Sequence, residues 1–407
     1  MPRPTVGIQR CSIGSTPEQV EEVVSATVEL AGGVPRKVRQ ARKIVVKANY
    51  VGIYVRRADE RPRRHKDRPI GCVDDMVVGA ALSLLREANP SAEIILAEGL
   101  DAKPSQTSEQ LFSEMRCDDF PDRHGVELID ANLGEFVQVP VPGGGLLFNS
   151  IYLRKELADA DAVVSLAKLK VHAPAGITMS VKNMFGIVPR SQYGGAHRGY
   201  MHTNHFRLMR IFVDVATAVR PDLAIIDGII GSNMSLDGDP VETELMLAGH
   251  DPVATDSIGT CLIGFDPLSD FPTKPWLRAE NHLRLASQAG LGVLDPAEIE
   301  VRGLEVDDNL WQFDLNEADG MKTHEAHAAL LAARREAGVY IANRDKLIED
   351  YAHRYVFLRH GEVEWSESSR AVATERARPG NAQDGYGLLL QVTPPDSDEE
   401  RIETYLA

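Results

Sequence analysis

Cysteine is scarce, and its four copies (Cys11, Cys72, Cys117 and Cys261) lie far apart, with no C-x-x-C pair. That spacing argues against a disulfide framework and against a Cys-ligated zinc or iron–sulfur site. No stretch approaches the roughly 18 apolar residues of a membrane span. The opening MPRPTVGIQRC lacks the apolar run of a signal peptide. Basic charge is also lacking: a net charge of −16 over 407 residues argues against a general nucleic-acid binder. The expectation is a cytoplasmic protein with neither a membrane nor a nucleic acid as partner.

What is present suffices for a full core, since 43% of the residues are hydrophobic. The stretch that organises the rest runs from Asp161 to His205. An apolar run from Ala162 to Leu169 reads as a buried strand, yet it empties into Lys168, Lys170 and His172 rather than a turn. A Gly/Pro loop follows, then Ser180, Lys182 and Asn183, and four histidines fall between His172 and His205 (His172, His197, His202, His205). Buried strands that end in cations, imidazoles and amides are how open α/β sheets present chemistry at their carboxyl edge.

Upstream, Thr16, Pro17 and Gln19 form a helix start with a capping box, and the helix stops at Gly32-Gly33. KIVVKANYVG is a short strand ending in Lys47 and Asn49. Seven Lys and Arg between Arg56 and Arg68, broken by proline, predict a loop that could offer arginines to an anion. A helix over Asp74–Ala88 and a strand ending in Glu98 come next. The segment VQVPVPGGGLLFNS alternates and turns at Gly143–Gly145, a hairpin signal; its triple glycine lacks both phosphate-loop spacings. After a helix over His205–Val219, LAIIDG is a strand ending in Asp227. ELMLAG is one more strand, whose exit holds His250, Asp251 and Asp256, with Asp251 suited to an N-cap.

Strand–helix–strand alternation through 44–264 predicts an α/β fold, a parallel or mixed sheet with helices on both faces, followed by a mostly helical C-terminal extension. The expected division is a core over 1–265 carrying the site, an α/β to helical appendage over 266–375, and an extended tail over 376–407. If the strands are parallel, five exits converge on one cleft, bringing Lys47/Asn49, Glu98, Lys168/Lys170/His172, Asp227 and Asp256 together.

Two chemistries suit such a cleft. His172, His197, His202 and His205, with Glu98 and Asp256 as carboxylate partners, could hold a divalent metal (iron, nickel or zinc) with an open position. Lys47, Lys168, Lys170 and Lys182 in one place would bind an anion and depress one another's pKa, which suits a lysine base or Schiff-base former. His172, Lys170, Lys182 and Asp227 are the catalytic candidates, and Lys47, Asn49, Lys168, Ser180, Asn183 and Arg190 the substrate-binding ones. The expected function is a metal-assisted enzyme for redox or proton-transfer chemistry on a small anionic metabolite. The alternatives are an anion- or cofactor-binding accessory protein and a metal-free lysine enzyme. A homo-oligomer is compatible with all three.

Several spaced motifs in order carry a resemblance. Lys168-Leu169-Lys170-x-His172 is followed by Thr178-x-Ser180-x-Lys182-Asn183-x-Phe185-Gly186. Then come Ile226-Asp227-Gly228 and Gly249-x-Asp251-Pro252-Val253-Ala254-x-Asp256. Over roughly residues 44–265 this resembles the family catalogued as domain of unknown function 362. Many of its members carry a ferredoxin-like cysteine-rich module; this chain has none, so no iron–sulfur cluster is expected. His172-x-x-Ala175-Gly176-x-Thr178-x-x-x-Lys182 is also similar in spacing to a segment of the nickel-pincer lactate racemases, whose lysine tethers the cofactor. Here Met179, Ser180 and Val181 replace the glycines and arginine that precede that lysine, so tethering at Lys182 is not expected. Arg359-His360-Gly361-Glu362 looks like the phosphohistidine signature of phosphoglycerate-mutase-like phosphatases, but too few residues follow to build that domain.

Overall fold

The structure is a computed structural model that describes residues 3–50, 64–100, 107–195, 198–203, 205–233, 238–315, 322–377, 386–394 and 400–406. Its centre is a ten-stranded mixed sheet. The eight strands along its path are β1 (Thr5–Arg10), β2 (Lys43–Ala48), β3 (Glu93–Glu98), β4 (Val126–Asp130), β5 (Ala162–His172), β6 (Leu223–Asn233), β7 (Leu245–Gly249) and β8 (Glu300–Gly303), in the order β8-β1-β7-β6-β5-β2-β3-β4. Two short strands, Gly176–Ile177 and Asp239–Val241, add to β5 and β6. All pairings on the path are parallel except those of β7, which runs against both β1 and β6.

Pleat alternation splits the core in two, as a sheet covered on both faces requires. Ile44 and Val46 of β2 join one cluster with Val20 and Val24 of α1 (Pro17–Leu30) and Val78 of α2 (Asp75–Ala88). Val45 joins the other, with Val181 of α3 (Met179–Asn183) and Phe212 of α4 (His205–Val219). The Thr16 capping box and the Pro17 start of α1 are present as read.

Three expectations are corrected. Because β7 is antiparallel, its exit lies at the opposite edge, where His250 meets the Gly33 carbonyl at 2.7 Å. Asp251 there is an N-cap, accepting from the Ala254 amide at 2.9 Å at the start of α5 (Pro252–Leu262). The sheet also extends beyond residue 265, since β8 pairs with β1. Finally, the 376–407 region contributes a strand, Leu388–Gln391, to a small sheet with Tyr355–Arg359 and Glu362–Glu367. His360 (φ 55°) and Gly361 (φ 83°) form the two-residue turn of that hairpin, and left-handed φ at both positions is what such a turn demands. The Arg-His-Gly-Glu run is thus a turn. Helices Thr323–Ala342 and Arg344–Tyr351 supply the helical extension.

Candidate functional site

The site is built at the carboxyl ends of β2 and β3 and along the later halves of β5 and β6, with α3 packed on β5 and β6. Lys47 is fully buried at the end of β2. Its ammonium donates to Glu98 Oε2 (2.7 Å), to Asn183 Oδ1 (2.7 Å) and to the Ala48 carbonyl (2.9 Å). Glu98 has both oxygens occupied, accepting also from the Tyr50 and Gly99 amides, each at 2.9 Å. Asn183 donates back to Ser165 Oγ and to the Lys47 and Leu166 carbonyls, which ties α3 to the strands. Asn49 carries the network around the strand end. It donates to Asn183 Oδ1 (3.2 Å) and accepts from Lys170 Nζ (3.0 Å), which in turn donates to the Gly71 carbonyl (2.6 Å).

Lys168 faces the α2 side. Lys168 and Asp227 are register partners in the β5–β6 pairing, just before that register shifts, and they form a buried ion pair at 2.8 Å. Asp227 also accepts from the amides of Asp74 and Ile229, each at 2.9 Å. Arg68, the one buried member of the arginine-rich segment among the described residues, pairs with Asp74 at 3.1 Å. Most of that segment lies outside the described residues.

Asp256 reaches the site from α5, not from a strand end. It is fully buried and accepts from the Ser180 amide (2.7 Å) and the Val181 amide (2.8 Å), holding the first turn of α3. Burial pushes its carboxyl up to about 7. Lys170 is lowered to about 8, chiefly by burial, with Lys47 and Lys168 contributing.

Lys182 stands apart. No hydrogen bond or ion pair to it is found among the described residues; its ammonium lies over the Phe212 ring, 5.4 Å from the centroid. Its side chain is half-buried. Burial first, then the charges of Lys170 and Lys47, hold its amine well below the usual lysine range.

The sequence-predicted residues therefore divide. Lys47, Asn49, Glu98, Asn183 and Lys170 join one network; Lys168 and Asp227 pair beside it, and Ser180 and Asp256 anchor α3. His172 is buried and turned into its own turn, its Nδ1 accepting the Ala175 amide at 3.2 Å. His202 packs edge-on to Phe185, with centroids 6.4 Å apart. Arg190 sits half-buried, its amide bonded to Asn132 Oδ1 at 3.1 Å. His197 and the side chain of His205 lie outside the described residues. Among the described residues no group of three His, Cys, Asp or Glu is placed to hold a metal, and Glu98 and Asp256 already accept with both oxygens. These described donors do not fit a metal.

The triple glycine lies in the connection of the expected hairpin, between the paired antiparallel strands Phe136–Pro140 and Ser150–Arg154, and the Leu146, Leu147 and Phe148 amides that follow it are bonded to Asp214 of α4. Sequence reading missed His282, buried at the start of α6 (His282–Gln288), because a lone histidine after an asparagine N-cap has no motif around it.

Gly186 closes the site from above. A Cβ there would overlap Glu98 Oε1 and Lys47 Nζ. Gly186→Ala is therefore expected to lower stability by about 1–3 kcal/mol, as overpacking does; an unchanged melting temperature would mean the ion pair can yield.

Residues 62–261 match the family model described as a domain of unknown function, DUF362. The resemblance read from the motifs is thereby borne out over the stretch that holds Lys168, Lys182, Asp227 and Asp256. A thylakoid-associated protein of Synechocystis sp. is 36% identical over 173 residues, covering 41% of this chain. The chain matches about half of that relative's length, 52%. The lactate racemase apoprotein of Thermoanaerobacterium thermosaccharolyticum is a structural neighbour at 14% identity and a TM-score of 0.38, covering 57% of this chain and 52% of that one. That likeness is too distant to bear on chemistry. No described helix is long and apolar enough to cross a membrane.

Proposed function

We propose that the protein is an enzyme acting on a small anionic carbonyl compound, with Lys182 as its reacting amine. The observation that carries this reading is the contrast among the lysines. Lys47 and Lys168 are tied to carboxylates and Lys170 to a carbonyl and an amide, whereas Lys182 is half-buried with no such partner among the described residues. Lowering an amine's pKa raises the share of the neutral, nucleophilic form. In the proposed step its nitrogen lone pair attacks the carbonyl carbon, a C–N bond forms, and the carbonyl oxygen leaves as water to give an imine. Lys170, bonded to Asn49 and the Gly71 carbonyl rather than to a carboxylate among the described residues, adds the positive charge that an anionic substrate would meet.

Borohydride trapping tests this. With an added aldehyde or keto acid at pH 7, a reduced adduct is expected on the peptide containing Lys182 and lost in Lys182→Met. Labelling spread over exposed lysines, unchanged in that variant, would sink the proposal. The accessory-protein reading draws support from the three committed lysines, which look structural, and it predicts anion binding without any adduct.

A further inference from the structure

Segment 275–282 lies against the turn that leads into α3, and between them polar atoms are left without partners. A Cβ on Gly176 would touch Trp276 Cδ1 at 3.1 Å, which places the indole beside the β5–α3 turn. Trp276 is 1% exposed and its Nε1 has no acceptor among the described residues; Thr178, also 1% exposed, has no partner there for Oγ1. Six residues on from Trp276, His282 is fully buried with neither ring nitrogen bonded among the described residues. Its ring meets Phe212 edge-on at 5.8 Å, the same ring that Lys182 lies over. Burial and the Lys182 charge lower His282 to about 3, so the imidazole is neutral at pH 7, with one donor and one acceptor nitrogen. Three residues after Gly176 (φ 76°), at the first position of α3, Met179 adopts φ 40°, a conformation that costs free energy and concentrates at ligand sites.

Buried polar groups are nearly always satisfied, and an unmade hydrogen bond costs about 1–3 kcal/mol. Three such side chains along one short interface, beside an amine with no partner among the described residues, call for a ligand. The set is rich in donors: an indole N–H, a hydroxyl, an imidazole N–H and an amine. We propose that this interface binds a short oxo-carboxylate, its carboxylate on Trp276 and Thr178 and its carbonyl between Lys182 and His282. The carbonyl end rests on the Lys182 reading given above; the carboxylate end does not.

Glyoxylate, which carries both groups, and acetaldehyde, which lacks the carboxylate, are the probes. Two readouts are needed: the borohydride adduct at Lys182, and Trp276 emission in a Trp311→Phe/Trp365→Phe background that leaves Trp276 as the single tryptophan. Glyoxylate is expected to label Lys182 at about tenfold lower concentration than acetaldehyde and to change Trp276 emission over the same range. Thr178→Val and Trp276→Phe should each raise the glyoxylate requirement about tenfold and leave acetaldehyde labelling unchanged. His282→Gln should weaken labelling by both aldehydes. Equal labelling by the two probes, insensitive to these variants, overturns the inference while leaving Lys182 as the amine. Emission changes without an adduct uphold the carboxylate site and overturn the Lys182 chemistry. Neither signal overturns both.

Discussion

Asp227→Ala is expected to destabilise the protein by about 3–5 kcal/mol, the usual consequence of stranding one partner of a buried ion pair. Lys168 is 1% exposed and would be left without its carboxylate at 2.8 Å. Two amides lose an acceptor as well, that of Asp74 at the start of α2 and that of Ile229 in β6. The effect should be read by urea unfolding with the slope unchanged. Asp227→Asn separates the causes: it can still accept from one or both amides but carries no charge. A loss below about 1 kcal/mol for Asp227→Ala would mean that water reaches Lys168, and the pair would then count as a surface one.

Asp256→Asn should both destabilise and disarm. The carboxylate accepts two amides at once, and a side-chain NH2 in its place would face one of them donor to donor. The first turn of α3 then loosens, and Lys182 three residues on loses its position, so borohydride labelling should fall at least tenfold, in line with about 1–3 kcal/mol for an unmet amide. The cost should also depend on pH. Burial raises the folded carboxyl from 3.8 to about 7, so the folded state binds the proton more tightly than the unfolded state. Stability from this group is fully present below pH 3.8 and is lost as pH rises towards 7. Asparagine does not titrate, so the penalty of the substitution should shrink over that window, by up to about 4 kcal/mol. A penalty flat from pH 4 to 7 would show that the carboxyl is ionised throughout.

Much of this architecture is legible in the residues. β2 and β5 announce themselves by apolar runs, α1 by Thr16, Pro17 and Gln19, and α4 by its spacing from His205 to Val219. The direction of β7 is not legible, because an apolar run such as Leu245–Gly249 reads the same whether its neighbour is parallel or antiparallel. β1 also escapes notice, being only six residues between proline and a polar turn. In the site, cations near strand ends can be read as a group, but their division cannot. Which lysine meets a carboxylate depends on register and pleat, and Lys168 and Lys47 differ from Lys182 only through tertiary partners. His282 lies a hundred residues from Lys182, and only the packing of α6 on α4 brings both to Phe212.

The lysines at the strand ends also act as one electrical body. Lys47 and Lys168 lower Lys170, and Lys170 and Lys47 lower Lys182. An anion held beside them would relieve that mutual repulsion and raise the proton affinity of Lys170 and Lys182. Under the proposed reading, anion capture and proton uptake would then be one thermodynamic event, and the apparent affinity would depend on the buffer as much as on the protein.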